Sequence, residues 1–139
     1  MEAKYKGIDV SKWQGDINWE KVRASGVEFA MLRAGFGRCQ GQNDTSFERN
    51  YREAKKNGIL VGAYHYSYAK TVSDAEKEAE YFLSLISGKS FEFPVAFDIE
   101  DNSQKNLSRE EISNIVEAFC GRTEKAGYFV SVCESVVAQ

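Results

Sequence analysis

The chain has 139 residues, 42% of them hydrophobic, and a single proline, which fits one domain with a real core and excludes a disordered or linker-rich chain. Net charge is −3 with acids and bases interleaved, so nucleic acid is excluded as the main partner, because phosphate binding needs a concentrated basic face. Apolar runs fall far short of the roughly 20 residues that cross a bilayer, and residues 1–6 lack the apolar stretch of a secretory signal, so the expectation is synthesis in the cytoplasm without a signal peptide and no membrane insertion.

The first strand falls at residues 7–10, and a short helix at 19–24 stops at Gly26. A second strand covers 28–33 and gives way to a glycine-rich loop at 35–41. A helix over 45–57 stops at Gly58, and a third strand covers 60–66. The next helix spans 73–86, opened by Ser73 with Glu76 at the capping-box spacing. A fourth strand lies at 94–99. The last helix opens on Ser108 with Glu111 at the same spacing, runs to 125 and stops at Gly127. A fifth strand covers 128–132. Cys39, Cys120 and Cys133 are odd in number and lack metal-site spacing, so free, mostly buried thiols are expected.

Strands alternating with helices imply a parallel sheet with right-handed crossovers, which an open doubly wound sheet and a barrel both satisfy. Doubly wound nucleotide binders carry a glycine-rich loop directly after the first strand. Here that place reads Asp9-Val10-Ser11-Lys12-Trp13, with no phosphate cradle, which favours a barrel.

Function in parallel α/β domains gathers at the carboxyl ends of strands. In the fourth strand, side-chain alternation puts Val95, Phe97 and Ile99 on one face and Ala96, Asp98 and Glu100 on the other. Asp9 repeats the arrangement on the first strand, between Ile8 and Val10. Grouped carboxylates raise one another's pKa, and an acid kept protonated beside an ionised one is what glycoside hydrolysis uses. Three other readings stay open at this point: helix capping, pairing with Arg33, and a magnesium site, since grouped carboxylates suit a hard cation. Trp13 and the alternating Tyr64, Tyr66 and Tyr68 tilt the balance toward sugar, because aromatic faces stack on pyranose rings. His65, the one histidine, should point to the opposite face as a structural residue, which leaves a Ser/His/Asp or Cys/His mechanism without its base.

Four segments together resemble the glycoside hydrolase family 25 lysozymes, the Chalaropsis-type muramidases common in bacteria and their phages. They are Gly7-Ile8-Asp9-Val10-Ser11-Lys12-Trp13-Gln14-Gly15, Leu32-Arg33-Ala34-Gly35-Phe36-Gly37, Gly62-Ala63-Tyr64-His65-Tyr66 and Phe97-Asp98-Ile99-Glu100. The resemblance covers about residues 6–132. It implies an α/β fold, here an incomplete TIM-like β/α barrel of about five parallel strands and four helices, in one domain over residues 1–139 that lacks the late strands of a barrel of about eight. It also implies cleavage of the β-1,4 bond between N-acetylmuramic acid and N-acetylglucosamine in bacterial peptidoglycan, at the cell wall, with no metal and no organic cofactor. Glu100 would be the general acid, Asp98 would orient the substrate's N-acetyl group as an internal nucleophile, and Asp9 would shape the site. Arg33, Tyr64, Tyr66 and Trp13 would line the sugar pocket.

Departures from the family pattern are Cys133, where the family tends to show a tyrosine, residues 134–139, which match nothing in it, and a missing late-strand acid. They add the expectation of a truncated product and an alternative function, a non-catalytic glycan-binding remnant. Five parallel strands cannot close a barrel of about eight. Exposed apolar surface in the unclosed interior is therefore expected, with a homodimer through the open sheet edges or by exchange of elements, or else poor solubility. Catalytic activity is expected to be weak or absent, because the half of the cleft built from late strands is missing.

Overall fold

The computed structural model describes residues 5–133. Five strands alternate with four helices: β1 (Gly7–Val10), α1 (Trp19–Ala24), β2 (Phe29–Phe36), α2 (Phe47–Lys56), β3 (Leu60–Tyr66), α3 (Val72–Ile86), β4 (Val95–Asp98), α4 (Arg109–Lys125) and β5 (Val130–Cys133). Two short 3₁₀ turns, Lys12–Gln14 and Asn102–Gln104, follow β1 and β4.

All strand pairs are parallel, and the sheet order is β1-β2-β3-β4-β5. A doubly wound sheet reverses its strand order at a switch point and carries helices on both faces. Here the chain steps across the sheet in one direction, as a β/α barrel does, and the helices contribute to one contiguous core. That core joins Leu32, Val61, Val95, Phe97 and Ile99 from the strands to Phe47, Phe82, Ile86, Ile115 and Phe119 from the helices. Phe97 stacks on Phe119 with ring centroids 4.1 Å apart. Both β1 and β5 pair on one side only among the described residues, so the sheet is open.

Local signals explain most boundaries. Asn18 caps α1 by accepting a hydrogen bond from the Lys21 backbone N–H at 3.1 Å. Ser108 and Glu111 form a reciprocal capping box on α4, and α2 stops before Gly58, whose φ of 76° suits glycine.

Several boundaries differ from the sequence expectation, α2 beginning at Phe47 rather than 45 and β5 at Val130 rather than 128 among them, and two of the differences have a local cause. Helix α3 begins at Val72, because the Thr71 hydroxyl accepts from Asp74 N–H at 3.0 Å and wins over the Ser73–Glu76 box. Strand β2 continues to Phe36 through what read as a loop: a register shift between Arg33 and Gly35 lets it regain pairing with His65 and Tyr66 of β3.

The open face carries Asp9, Met31, Tyr64, Ala96, Asp98 and Glu100 around a cavity of about 170 Å³. Phe29, two residues before Met31 on β2, stacks on Phe93 with ring centroids 4.5 Å apart, and Tyr5 meets Phe93 edge-on. The two described thiols depart from expectation: Cys39 is exposed in its turn and Cys120 half-buried on α4, where burial pushes its thiol up to about 11 with help from Glu124. The side chain of Cys133 and the segment 134–139 lie outside the described residues.

Close packing at one point makes the sheet testable. A Cβ on Gly62 would lie 2.6 Å from the Met31 sulfur and 2.8 Å from the Pro94 carbonyl oxygen. The sulfur can swing away, but the carbonyl belongs to the backbone leading into β4. Gly62→Ala should therefore cost about 1–3 kcal/mol, read as a lower urea midpoint with an unchanged slope. An unchanged midpoint would show that β3 and the entry to β4 separate freely.

Candidate active site

Strand β4 is buried along its whole length. Val95, Phe97 and Ile99 enter the core, and the opposite face presents Ala96, then Asp98, then the exposed Glu100 at the carboxyl end. Asp98 and Glu100 form part of a cavity of about 410 Å³ whose lining also includes Trp13, Arg33, Phe36, Tyr64, Tyr66 and Tyr68. Asp9 borders the adjoining smaller cavity, which shares Tyr64, Asp98 and Glu100 with the larger one. All seven residues singled out in the sequence thus meet at one end of the sheet. His65 does not join them: it is fully buried among Tyr81, Phe82 and Phe119 on the far side of β3. Its Nε2 bonds the Gly37 carbonyl at 2.7 Å, and burial pushes its pKa down to about 4, so the ring is neutral.

Electrostatics divide this cleft. Burial pushes the Asp98 carboxyl up to about 7, aided by the Glu100 carboxylate, a hydrogen bond shared with it, and Asp9. The Oδ1 atom of Asp98 is buried without a hydrogen-bond partner. The Asp98 carboxyl therefore keeps its proton up to near neutrality. In stability terms, the folded state holds a proton that the unfolded chain releases. The resulting contribution is complete below about pH 4 and is lost as pH rises through about 7. Burial also pushes the Tyr64 phenol up, Arg33 opposing and Asp9 and Asp98 adding to it, so it stays a hydroxyl.

Arg33 does not neutralise these acids. Its Nε donates to Asp44 Oδ2 at 2.8 Å, with the Asp44 side chain wholly buried. The same Oδ2 accepts the Lys12 backbone N–H at 2.9 Å, and Oδ1 accepts that of Ser46 at 2.9 Å. Asp44 thereby ties Arg33 to the turn that carries Trp13, which is 76% exposed at the cleft. Neither the pairing of the strand-end acids with Arg33 nor their use as helix caps is found: the acid that caps is Asp101, on the turn after β4. Among the described residues no three His, Cys, Asp or Glu side chains are arranged to hold a metal ion.

Sequence reasoning missed Asp44, which sits in Asn43-Asp44-Thr45-Ser46, a stretch that reads as the approach to a helix. It also missed Ser11, Lys12 and Phe36, which line the cavity, and Gln104, buried in the turn after β4. Only the acidic character of Asp44 in a turn was visible, and nothing local shows its partners.

Known proteins of similar sequence and fold point to one family. The sequence matches the model of glycosyl hydrolases family 25 over residues 8–133. It is 40% identical over 102 residues to Lysozyme M1 of Streptomyces globisporus, covering 70% of this chain and 33% of that protein. It is 33% identical over 127 residues to the autolytic lysozyme of Clostridium acetobutylicum, covering 91% and 37%. The fold superposes on the modular autolysin LytC from Streptococcus pneumoniae, solved with a synthetic peptidoglycan ligand, with a TM-score of 0.81 at 28% identity over 92% of this chain and 32% of that one. The chain thus spans well under half the length of each of these relatives. No helix among the described residues is long and apolar enough to cross a membrane. With the family model covering nearly the whole sequence and the strand order of a β/α barrel on view, the chain belongs to glycosyl hydrolase family 25.

Proposed function

We propose that the chain acts on bacterial peptidoglycan as an N-acetylmuramidase, hydrolysing the β-1,4 bond between N-acetylmuramic acid and N-acetylglucosamine in the cell wall. The observation that carries this reading is the pair of carboxyls at the carboxyl end of β4, Asp98 buried and Glu100 open at the mouth, inside an aromatic-walled cleft. Glu100, exposed at the mouth, gives its proton to the glycosidic oxygen as the C1–O bond breaks. The substrate's N-acetyl oxygen attacks C1 from the other side, oriented by Asp98, and water then opens the ring so formed, returning the proton to Glu100. Asp9 keeps the floor of the site negative, which favours the cationic transition state. Trp13, Tyr64 and Tyr66 supply stacking faces and hydroxyls, and Arg33 is fixed by Asp44 beside them. The names of the lysozyme relatives and of the peptidoglycan-bound neighbour support the choice of substrate. We also propose that the edges of β1 and β5, unpaired among the described residues, associate with a second copy of the chain, since open strand edges seek partners and Phe129, 86% exposed, stands just before β5.

Clearing of bacterial wall suspensions tests the chemistry. Glu100→Gln should lower the rate several hundredfold, within the roughly 10²–10⁴ that a general acid contributes, while the thermal midpoint stays near that of the parent. Retention of more than a tenth of the activity would remove Glu100 from the acid role, and a parent chain that binds walls without clearing them would favour a glycan-binding function. Light scattering across a dilution series tests the edges: mass should fall toward that of one chain only on dilution, and a strict monomer at micromolar concentration would exclude the pairing.

A further inference from the structure

Glu100 lies one residue beyond Ile99, past the end of β4, on an exposed stretch where no ladder fixes it. What flanks it is fixed at several points. On one side, the Asp98 carbonyl accepts the Ser67 backbone N–H at 2.8 Å. On the other, Asp101 Oδ1 accepts the Tyr66 hydroxyl at 3.0 Å, and Asp101 N–H donates to Gln104 Oε1 at 3.2 Å. Gln104 is fully buried. Its Nε2 donates to the Ala69 carbonyl at 2.8 Å and to Ser67 Oγ at 3.2 Å. The Ser67 hydroxyl in turn donates to the buried Glu78 at 2.7 Å, and Glu78 also accepts the Tyr68 N–H at 2.9 Å.

The orientation of the Gln104 amide is forced. The Ala69 carbonyl only accepts and the Asp101 N–H only donates, so nitrogen faces the first and oxygen the second. One buried side chain therefore uses both ends to sew the loop after β4 to the loop after β3. An apolar residue of the same size would fill this space equally well, but it would leave the Ala69 carbonyl and the Asp101 N–H unsatisfied and the two loops unlinked. The loop after β3 carries Tyr68 and follows Tyr66 directly, and both belong to the cleft wall.

We propose that Gln104 is a positioning residue, holding the loop after β4, and with it Glu100, at a set distance from Asp98 and the tyrosine wall of the cleft. Gln104 touches no substrate. It acts through Asp101, whose contact with Tyr66 closes the circuit. The inference rests on the reading of Glu100 as proton donor, and its test has one arm that needs no turnover.

Gln104→Met keeps the volume and deletes every hydrogen bond of the amide. On glycan substrates its kcat should fall about 10- to 100-fold with KM within about twofold, as expected when a reacting group is displaced by an ångström or so while substrate binding stays intact. The second arm reads Asp98 by carboxyl ¹³C NMR in the free protein. Because Glu100 helps raise the Asp98 pKa, loosening the loop should lower the Asp98 midpoint by roughly half a unit or more. Tyr66→Phe, which removes the hydroxyl that bonds Asp101, should move that midpoint the same way, and it decides the matter if Gln104→Met fails to fold. A folded Gln104→Met protein with an unmoved midpoint, with parental kcat, or with a deficit confined to KM would overturn the proposal. If the parent shows no turnover on any wall, the midpoint alone decides, so failure of the muramidase reading and failure of the positioning role give different results.

Discussion

Side-chain alternation along β4 is the constraint on which the site depends. A strand paired on both sides in a one-way parallel sheet must give its bulky side chains to the helices, and Val95, Phe97 and Ile99 do so. The other face then has to carry Ala96, Asp98 and Glu100 into the mouth. Desolvation acts unevenly along this face: Asp98 is almost enclosed and Glu100 is open to solvent. That gradient, rather than a special contact, separates the two carboxyls, and it leaves Asp98 Oδ1 without a partner at a cost of about 1–3 kcal/mol. A core position would not keep such an atom for stability alone. Unsatisfied buried acids gather where charge must change during a reaction.

The cation of the cleft is managed with equal care. Left free, Arg33 would pull the neighbouring carboxyls down and hold them ionised. Asp44 pairs with it instead, wholly buried, and the pair fastens β2 to the turn that carries Trp13. Asp98 keeps its proton and the aromatic wall gains an anchor through one interaction. Gln104 does the corresponding work across the cleft, fastening the loops after β3 and β4 to each other. Both clamps are buried and polar, and Arg33 leaves its Nη2 without a partner, so they give fixed geometry more than net stability.

Much of this was legible in the sequence because it obeys local rules. The five strands alternating with four helices follow from apolar patterning, and the outward face of His65 and the inward faces of Asp98 and Glu100 follow from period-two alternation. The misplaced boundaries came where two local signals competed. Thr71 and Ser73 both offered caps for α3, and the glycines after Arg33 read as a loop although a bulge lets β2 continue. Asp44 and Gln104 were invisible for a deeper reason. Apart from neighbours in their own turns, their partners lie 11 to 37 residues away in the chain, and nothing in a turn sequence tells a solvated Asp or Gln from one that the fold will bury.

A proton held near neutrality on Asp98, beside Glu100, underlies the chemistry of the cleft. Carboxyl ¹³C NMR of the parent protein across pH 3 to 9 measures this directly, without substrate and without assuming an activity. The geometry predicts an Asp98 midpoint near 7. An Asp98 that titrates near 4, as an ordinary aspartate does, would mean that the buried strand-end acid gives up its proton like any other, and the acid–base reading of the cleft would fail.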